Sequence, residues 1–232
     1  MAMAHDDVHI DGHKVIRTYS TNDEMDYIND DRNRRFYLDP GNEFNFDYGK
    51  AFAEGYTARE GVPHLVAGRY AWMRDHRQVL IDNGILDKAQ SRLNVDFVSR
   101  RGVLTRILQM GGRKDWDIGI AVTLYKGTYH LSSTMKNRAA PQKKNLIAAS
   151  TNLLVKFVTS RDGLTPDEPA PVNVKEIFFT LMTVNCGNHR LLVRSEIQAE
   201  KRIAPDEPPQ ALPNPRYCMN VRSRPLRHTL DP

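Results

Sequence analysis

Cysteine is nearly absent. Only Cys186 and Cys218 stand among 232 residues, too few for a disulfide framework and in keeping with a reducing compartment such as nucleus or cytosol. No stretch approaches the roughly 18 consecutive apolar residues of a membrane-spanning helix, so no membrane partner is expected. The opening MAMAHDDVHIDGHK is acidic and polar and does not read as a secretory leader. Neither G-x-x-x-x-G-K-[ST] nor G-x-G-x-x-G occurs, which removes the common glycine-loop nucleotide sites. No C-x-x-C pair is present to hold structural zinc. His9 and His13 have the spacing of helical metal ligands, but Gly12 between them and the polar surroundings argue against a site. Ser195 lies near His189 without a nucleophile elbow or an evident acid partner, which argues against a hydrolase triad.

What is present is an uneven charge. The formal net charge is +5. Residues 1–60 hold 7 Lys and Arg against 13 Asp and Glu, whereas residues 97–144 hold 10 against 2. A basic middle behind an acidic front points to a polyanion as partner. Within that middle, Gly111-Gly112 followed by Arg113 and Lys114 forms a basic loop suited to phosphates.

The length suits one large domain or two small ones, at ~100–200 residues each. We read residues 1–35 as a polar, loose segment and 36–232 as the folded domain. Glu43–Asp47 alternates Phe44 and Phe46 like a short strand. A helix is expected from about Pro63 to Asp82, with Leu65, Val66, Tyr70, Met73 and Leu80 on its apolar side and Asn83-Gly84 as its stop. Ile118, Ile120, Val122 and Leu124 alternate, which predicts a strand with one buried face, returning through Lys126-Gly127 to a second strand at Thr128–Ser132. Residues 146–159 predict a helix packed on that sheet. Ile177–Val184 and Arg190–Ile197 predict a second hairpin. Prolines 205, 208, 209, 213 and 215 predict an exposed loop before a last strand near 217–222. The order is α+β, with a mixed β-sheet core and flanking helices, and without the strict alternation of a doubly wound sheet.

Four stretches, in one order, resemble the decapping nuclease family of RNA five-prime-end enzymes. They are Asn45-Phe46-Asp47-Tyr48; Asp96-Phe97-Val98-Ser99-Arg100-Arg101-Gly102-Val103-Leu104-Thr105-Arg106-Ile107-Leu108; Asp115-Trp116 with Ala121-Val122-Thr123-Leu124-Tyr125-Lys126-Gly127-Thr128-Tyr129; and His189-Arg190-Leu191-Leu192-Val193-Arg194-Ser195-Glu196-Ile197. The resemblance covers about residues 43–224. It implies the family's two-metal chemistry, in which carboxylates hold Mg²⁺ or Mn²⁺ around a scissile phosphate. It also implies removal of incomplete or non-standard caps and digestion of the exposed RNA.

Carried over residue by residue, the family's phosphate-contacting arginine falls on Arg101. Its four carboxylate positions fall on Val155, Glu196, Gln198 and Asn220, and its lysine on Arg222. Only Glu196 is an acid. Amide oxygens at Gln198 and Asn220 bring no charge to offset a divalent ion's desolvation, so metal binding is expected to be weak or absent. No Asp or Glu lies between Gln142 and Ser160 to replace Val155. The pattern resembles degenerate, Cutoff-like members of the family: a catalytically impaired protein that keeps binding to RNA ends or to partners. The alternative is a non-enzymatic interaction subunit of a nuclear RNA-processing complex, for example beside an exoribonuclease. Arg101, Arg106, Arg113, Lys114 and Lys126 are the expected RNA contacts, and Glu196 with Gln198 the only expected metal donors. Against the family pattern the sequence stops before the downstream glutamine and the last part of the fold. The edge at 217–222 is therefore expected to be open to self-association or a partner. The nucleus is the expected location, with the cytoplasm as alternative.

Overall fold

The computed structural model describes residues 9–41, 56–57, 65–110, 119–134, 142–168, 172–202 and 208–219. In chain order its strands are β1 (Ile10–Thr21), β2 (Tyr27–Ile28), β3 (Phe36–Tyr37), β4 (Tyr56–Thr57), β5 (Leu86–Asp87), β6 (Arg92–Leu93), β7 (Phe97–Arg100), β8 (Ile120–Tyr125), β9 (Thr128–Ser133), β10 (Thr159–Ser160), β11 (Val172–Asn173), β12 (Phe178–Cys186), β13 (His189–Ile197), β14 (Ala199–Glu200) and β15 (Cys218–Met219). The helices are α1 (Leu65–Asp75), α2 (Arg77–Asp82), α3 (Arg101–Met110) and α4 (Gln142–Phe157).

A seven-stranded mixed sheet runs β2-β1-β12-β13-β7-β9-β8. β1, β12 and β13 are antiparallel neighbours, β13, β7 and β9 are parallel, and β8 closes the row antiparallel. A four-stranded sheet runs β10-β3-β14-β15, and two short pairs, β4 with β11 and β5 with β6, complete the strands. This is the expected α+β arrangement of a mixed sheet with few helices.

Both faces of the large sheet are covered at its centre, so its middle strands are apolar on both sides. Successive β13 residues feed opposite cores. Leu192 joins Tyr19, Trp72, Leu80, Val98, Phe179 and Leu181 in the larger core, which includes α1 and α2. Leu191 and Val193 join Met182 and Val184 in a smaller one, with Leu104 of α3 packed against it.

Several expectations change. The segment 1–35 is not loose over its described part: β1 pairs with β12 and buries Ile16 and Tyr19. Its polar residues are compatible with burial because their side chains bond backbone. The Thr21 hydroxyl donates to the Lys175 carbonyl at 2.6 Å and accepts from the Ile177 N–H at 3.0 Å. The helix expected from Pro63 to Asp82 breaks at His76, whose ring stacks on Trp72 at 4.6 Å and whose Nδ1 approaches the Trp72 carbonyl at 3.0 Å. It stops at Asn83-Gly84 as expected, with the Gly84 N–H on the Ile81 carbonyl.

The β8–β9 hairpin forms with Lys126 and Gly127 both at positive φ (48° and 80°), the twist a two-residue hairpin requires. Its apolar alternation, however, does not mark a buried face: Val122 and Leu124 are 57% and 59% exposed. In the proline-rich loop, Pro208 and Pro209 are exposed, but Pro213 is fully buried. β15 is an outer strand of the small sheet. Glu43–Asp47, the Pro63 start, Ile118, Pro205 and residues 220–222 lie outside the described residues.

Candidate functional site

β13 and the residues after it set one line of side chains. Arg194, Glu196 and Gln198 alternate in sequence, so they follow one another along one side of the chain. α4, feeding into β10, brings Val155 to the same place. Val155, Glu196 and Gln198 line one cavity of about 160 Å³. Three positions taken from two separate stretches of sequence thus meet around one space. Asn220 and Arg222 lie outside the described residues, as do Arg113 and Lys114.

The remaining walls were not marked by any motif. Arg32, Arg35, Lys156 and Arg161 supply four cationic side chains, and Glu176 a second carboxylate beside Glu196. Arg35 is held rigidly: its Nε donates to Thr159 Oγ1 at 2.7 Å, and its Nη2 to the Thr159 carbonyl at 2.8 Å and to Asp167 at 2.6 Å. Lys156 Nζ shares that carboxylate at 3.8 Å. Arg32 is paired with Asp30 at 2.7 Å. Burial pulls the Lys156 ammonium below its ordinary value, and the neighbouring Arg35 charge adds to this. Burial pushes Asp167 up, but the Arg161 N–H and the Arg35 guanidinium outweigh it and hold the carboxyl below the usual range.

The donor set bears on what such a cavity can hold. Two divalent ions require several anionic oxygens. Here the lining offers two carboxylates, the uncharged amides of Asn33, Asn152, Asn173 and Gln198, and four cations. Among the described residues no group of three or more His, Cys, Asp or Glu could hold a metal. This set does not fit a two-metal centre and suits a phosphate-bearing ligand, because guanidinium and ammonium groups bond phosphate oxygens directly.

The other basic residues sit elsewhere. Arg101 opens α3, half-buried, with its charge acting on Cys218, and does not line this cavity. Arg106 donates from Nη1 to Ser133 at 3.0 Å. Lys126 is at the other end of the large sheet, with Nζ on the Ser91 carbonyl at 3.3 Å, in a separate hollow with Tyr70, Tyr125 and His130. By strand rise it is on the order of 25 Å from Glu196. Lys126 therefore cannot touch a phosphate bound at Glu196.

A family model described as RAI1-like PD-(D/E)XK nuclease matches residues 13–218. The chain is 25% identical over 202 residues to the decapping and exoribonuclease protein of Bos taurus, spanning 82% of this chain and 49% of that protein. It is 26% identical over 212 residues to the Xenopus laevis protein of the same name, spanning 81% and 51%. The chain thus spans about half the length of the curated relatives it matches. Among solved structures, Candida albicans Rai1 in complex with pU5 and Mn²⁺ superposes with a TM-score of 0.66 at 14% identity, over 87% of this chain and 57% of that one. Schizosaccharomyces pombe Rai1 gives 0.59 at 16% identity, over 84% and 55%. At such identities the superpositions establish the fold.

Proposed function

The chain belongs to the RAI1-like PD-(D/E)XK nuclease family, and from that premise we propose that its Glu196 cavity binds the phosphorylated five-prime end of RNA without supporting the family's two-metal cleavage. The observation that carries this reading is the lining itself. The positions aligned with the family's acids meet there as Val155, Glu196 and Gln198, while Arg32, Arg35, Lys156 and Arg161 surround them. Cations recruit a phosphate; one acid among three aligned positions leaves two divalent ions without the charge they need. A solved relative, Candida albicans Rai1, has been crystallised with pU5 and Mn²⁺, which supports RNA as the ligand class. The nucleus is the proposed setting, with the cytoplasm as alternative.

The test is binding of a five-prime-phosphorylated oligoribonucleotide against its five-prime-hydroxyl twin, read by fluorescence anisotropy with the purified chain. The phosphorylated strand should bind more tightly, and its affinity should fall steeply with salt as counterions are released. Lys156→Met should weaken it similarly for every sequence, because phosphate contacts carry no base information. No cleavage above background is expected in Mg²⁺ or Mn²⁺, and Gln198→Asp alone should not restore it, since Val155 remains. Metal-dependent turnover by the unmodified chain overturns the reading.

A second reading, a protein-interaction subunit, draws on the exposed apolar residues of the β8–β9 hairpin, Val122, Leu124 and Tyr129. Absence of RNA affinity at low salt would favour it.

A further inference from the structure

Four buried side-chain polar atoms among the described residues have no hydrogen-bond partner: Arg69 Nε, Arg69 Nη1, Trp72 Nε1 and His130 Nε2. The first three are obligate donors. The fourth belongs to a ring that shares a hydroxyl with Arg69. Arg69 Nη2 donates to the Tyr70 hydroxyl at 3.1 Å, and that hydroxyl lies 2.6 Å from His130 Nδ1. Whether Nδ1 accepts from that hydroxyl or donates to it depends on the ring's tautomer, so His130 Nε2 is a donor in one tautomer and an acceptor in the other. Three of the four orphans are therefore donors, all of them on α1. What is lacking is acceptors.

Charge points the same way. Arg69 is 3% exposed and Arg194 4% exposed. Arg100 pairs with Arg194 across the parallel β7–β13 ladder, so the two stand side by side. Arg194 lies 4.4 Å over the Phe179 ring, with Nη1 3.4 Å from the Tyr19 hydroxyl. Arg69 and Arg100 both lose proton affinity, first through burial and then through neighbouring arginines, with Arg194 acting on each. Burial likewise pulls His130 down, and Arg69 adds to it. No carboxylate among the described residues answers Arg69. An arginine cannot shed its proton to escape such a place, so burying one with open donors is costly unless something anionic joins it.

We propose that the space between α1 and the strand face carrying Arg100 and Arg194 is an anion site, with Arg69 as its principal ligand, taking an oxyanion of the phosphate class. The half-buried Arg100 is its most solvent-open guanidinium. Two features favour phosphate over a carboxylate: several guanidiniums meet a tetrahedral anion's several oxygens, and Arg194 stands about 7 Å along β13 from Glu196. That second feature rests on the RNA reading above; the anion site itself does not.

Thermal unfolding of the full chain, at constant ionic strength, tests it. Inorganic phosphate replacing chloride should raise Tm by about 3–6 °C at ten times its Kd. Arg69→Leu should raise Tm in the chloride buffer, since it removes an unanswered buried cation, and should abolish the phosphate-dependent rise. If Arg69→Leu does not fold, Arg69→Lys keeps the charge but loses the fork, and should weaken phosphate at least about tenfold. A five-prime-phosphorylated oligoribonucleotide that displaces phosphate, where its hydroxyl twin does not, identifies an RNA end as the source. Phosphate binding without such competition identifies a free or small-molecule phosphate. The proposal is overturned if phosphate stabilises no more than chloride, or if the Arg69 variants keep the full phosphate response. Loss of RNA binding with the phosphate response intact would overturn the function proposed for the Glu196 cavity and leave this site standing.

Discussion

Arg34 and Arg69 are buried to nearly the same depth, 7% and 3% exposed, and the molecule treats them in opposite ways. Arg34, beside the small sheet, grips Glu200 of β14 with two bonds, Nε at 2.8 Å and Nη2 at 2.9 Å, and spends its remaining Nη1 on the Gln210 carbonyl at 2.8 Å. Every nitrogen of its fork has an acceptor, and the Phe36 ring lies beneath it at 5.2 Å. Arg69, on helix α1 against the large sheet, has a tyrosine hydroxyl and two open nitrogens. A closed network of buried charge ties chain segments together. An open one, with the same residue at the same depth, is an invitation to a ligand.

The difference can be broken most sharply at Arg34. Arg34→Met leaves the Glu200 carboxylate buried without its partner and should cost about 3–5 kcal/mol, measured as a lower urea midpoint. At Arg69 the sign should reverse: Arg69→Leu should gain about 1–3 kcal/mol in phosphate-free chloride buffer, the penalty of unsatisfied buried donors. Equal losses at both positions would erase the contrast. Thr21→Ala probes a polar closure that carries no charge. It removes two buried bonds joining β1 to the residues before β12 and should lose about 1–2 kcal/mol with no change in phosphate response. The smallest effect concerns pH. The Asp167 carboxyl is depressed in the folded chain, so its contribution is fully present above the ordinary carboxylate range and is lost as pH falls through the depressed value. Asp167→Asn should remove this acid-side slope, worth about 1 kcal/mol or less at a partly exposed pair, as read by unfolding midpoints from pH 5 down to about pH 2.

How much of this was visible in the sequence varied with the kind of signal. The β12–β13 hairpin was legible because runs such as Leu191-Leu192-Val193 have few homes besides a strand buried on both faces. β1 was missed because its buried members include Ser20, whose hydroxyl bonds the Asp30 carbonyl and the Asn33 N–H, and Thr21, whose burial depends on backbone partners more than 150 residues away. The β8 alternation was read correctly as a strand and incorrectly as a core, since period-two spacing states which residues share a face and not what covers it. In the cavity, Val155, Glu196 and Gln198 came from a motif resemblance. Arg35, Lys156 and Glu176 had no spacing to mark them, because tertiary folding alone brings them together. Arg69 looked like one more charged residue on a helix; only its burial distinguishes it.

The pairing of β1 with β12 has a consequence in time. The Thr21 hydroxyl finds its acceptor 154 residues further along the chain. At roughly 5–20 residues per second of synthesis, that partner emerges about 10–30 s after Thr21 itself. Throughout that interval a twelve-residue segment with strand character waits beside the ribosome with the edge that β12 will cover left open. Slow synthesis or early pauses should therefore lower the soluble yield of this protein more than any change at its cavity, and a chaperone that holds the first thirty residues extended should restore it.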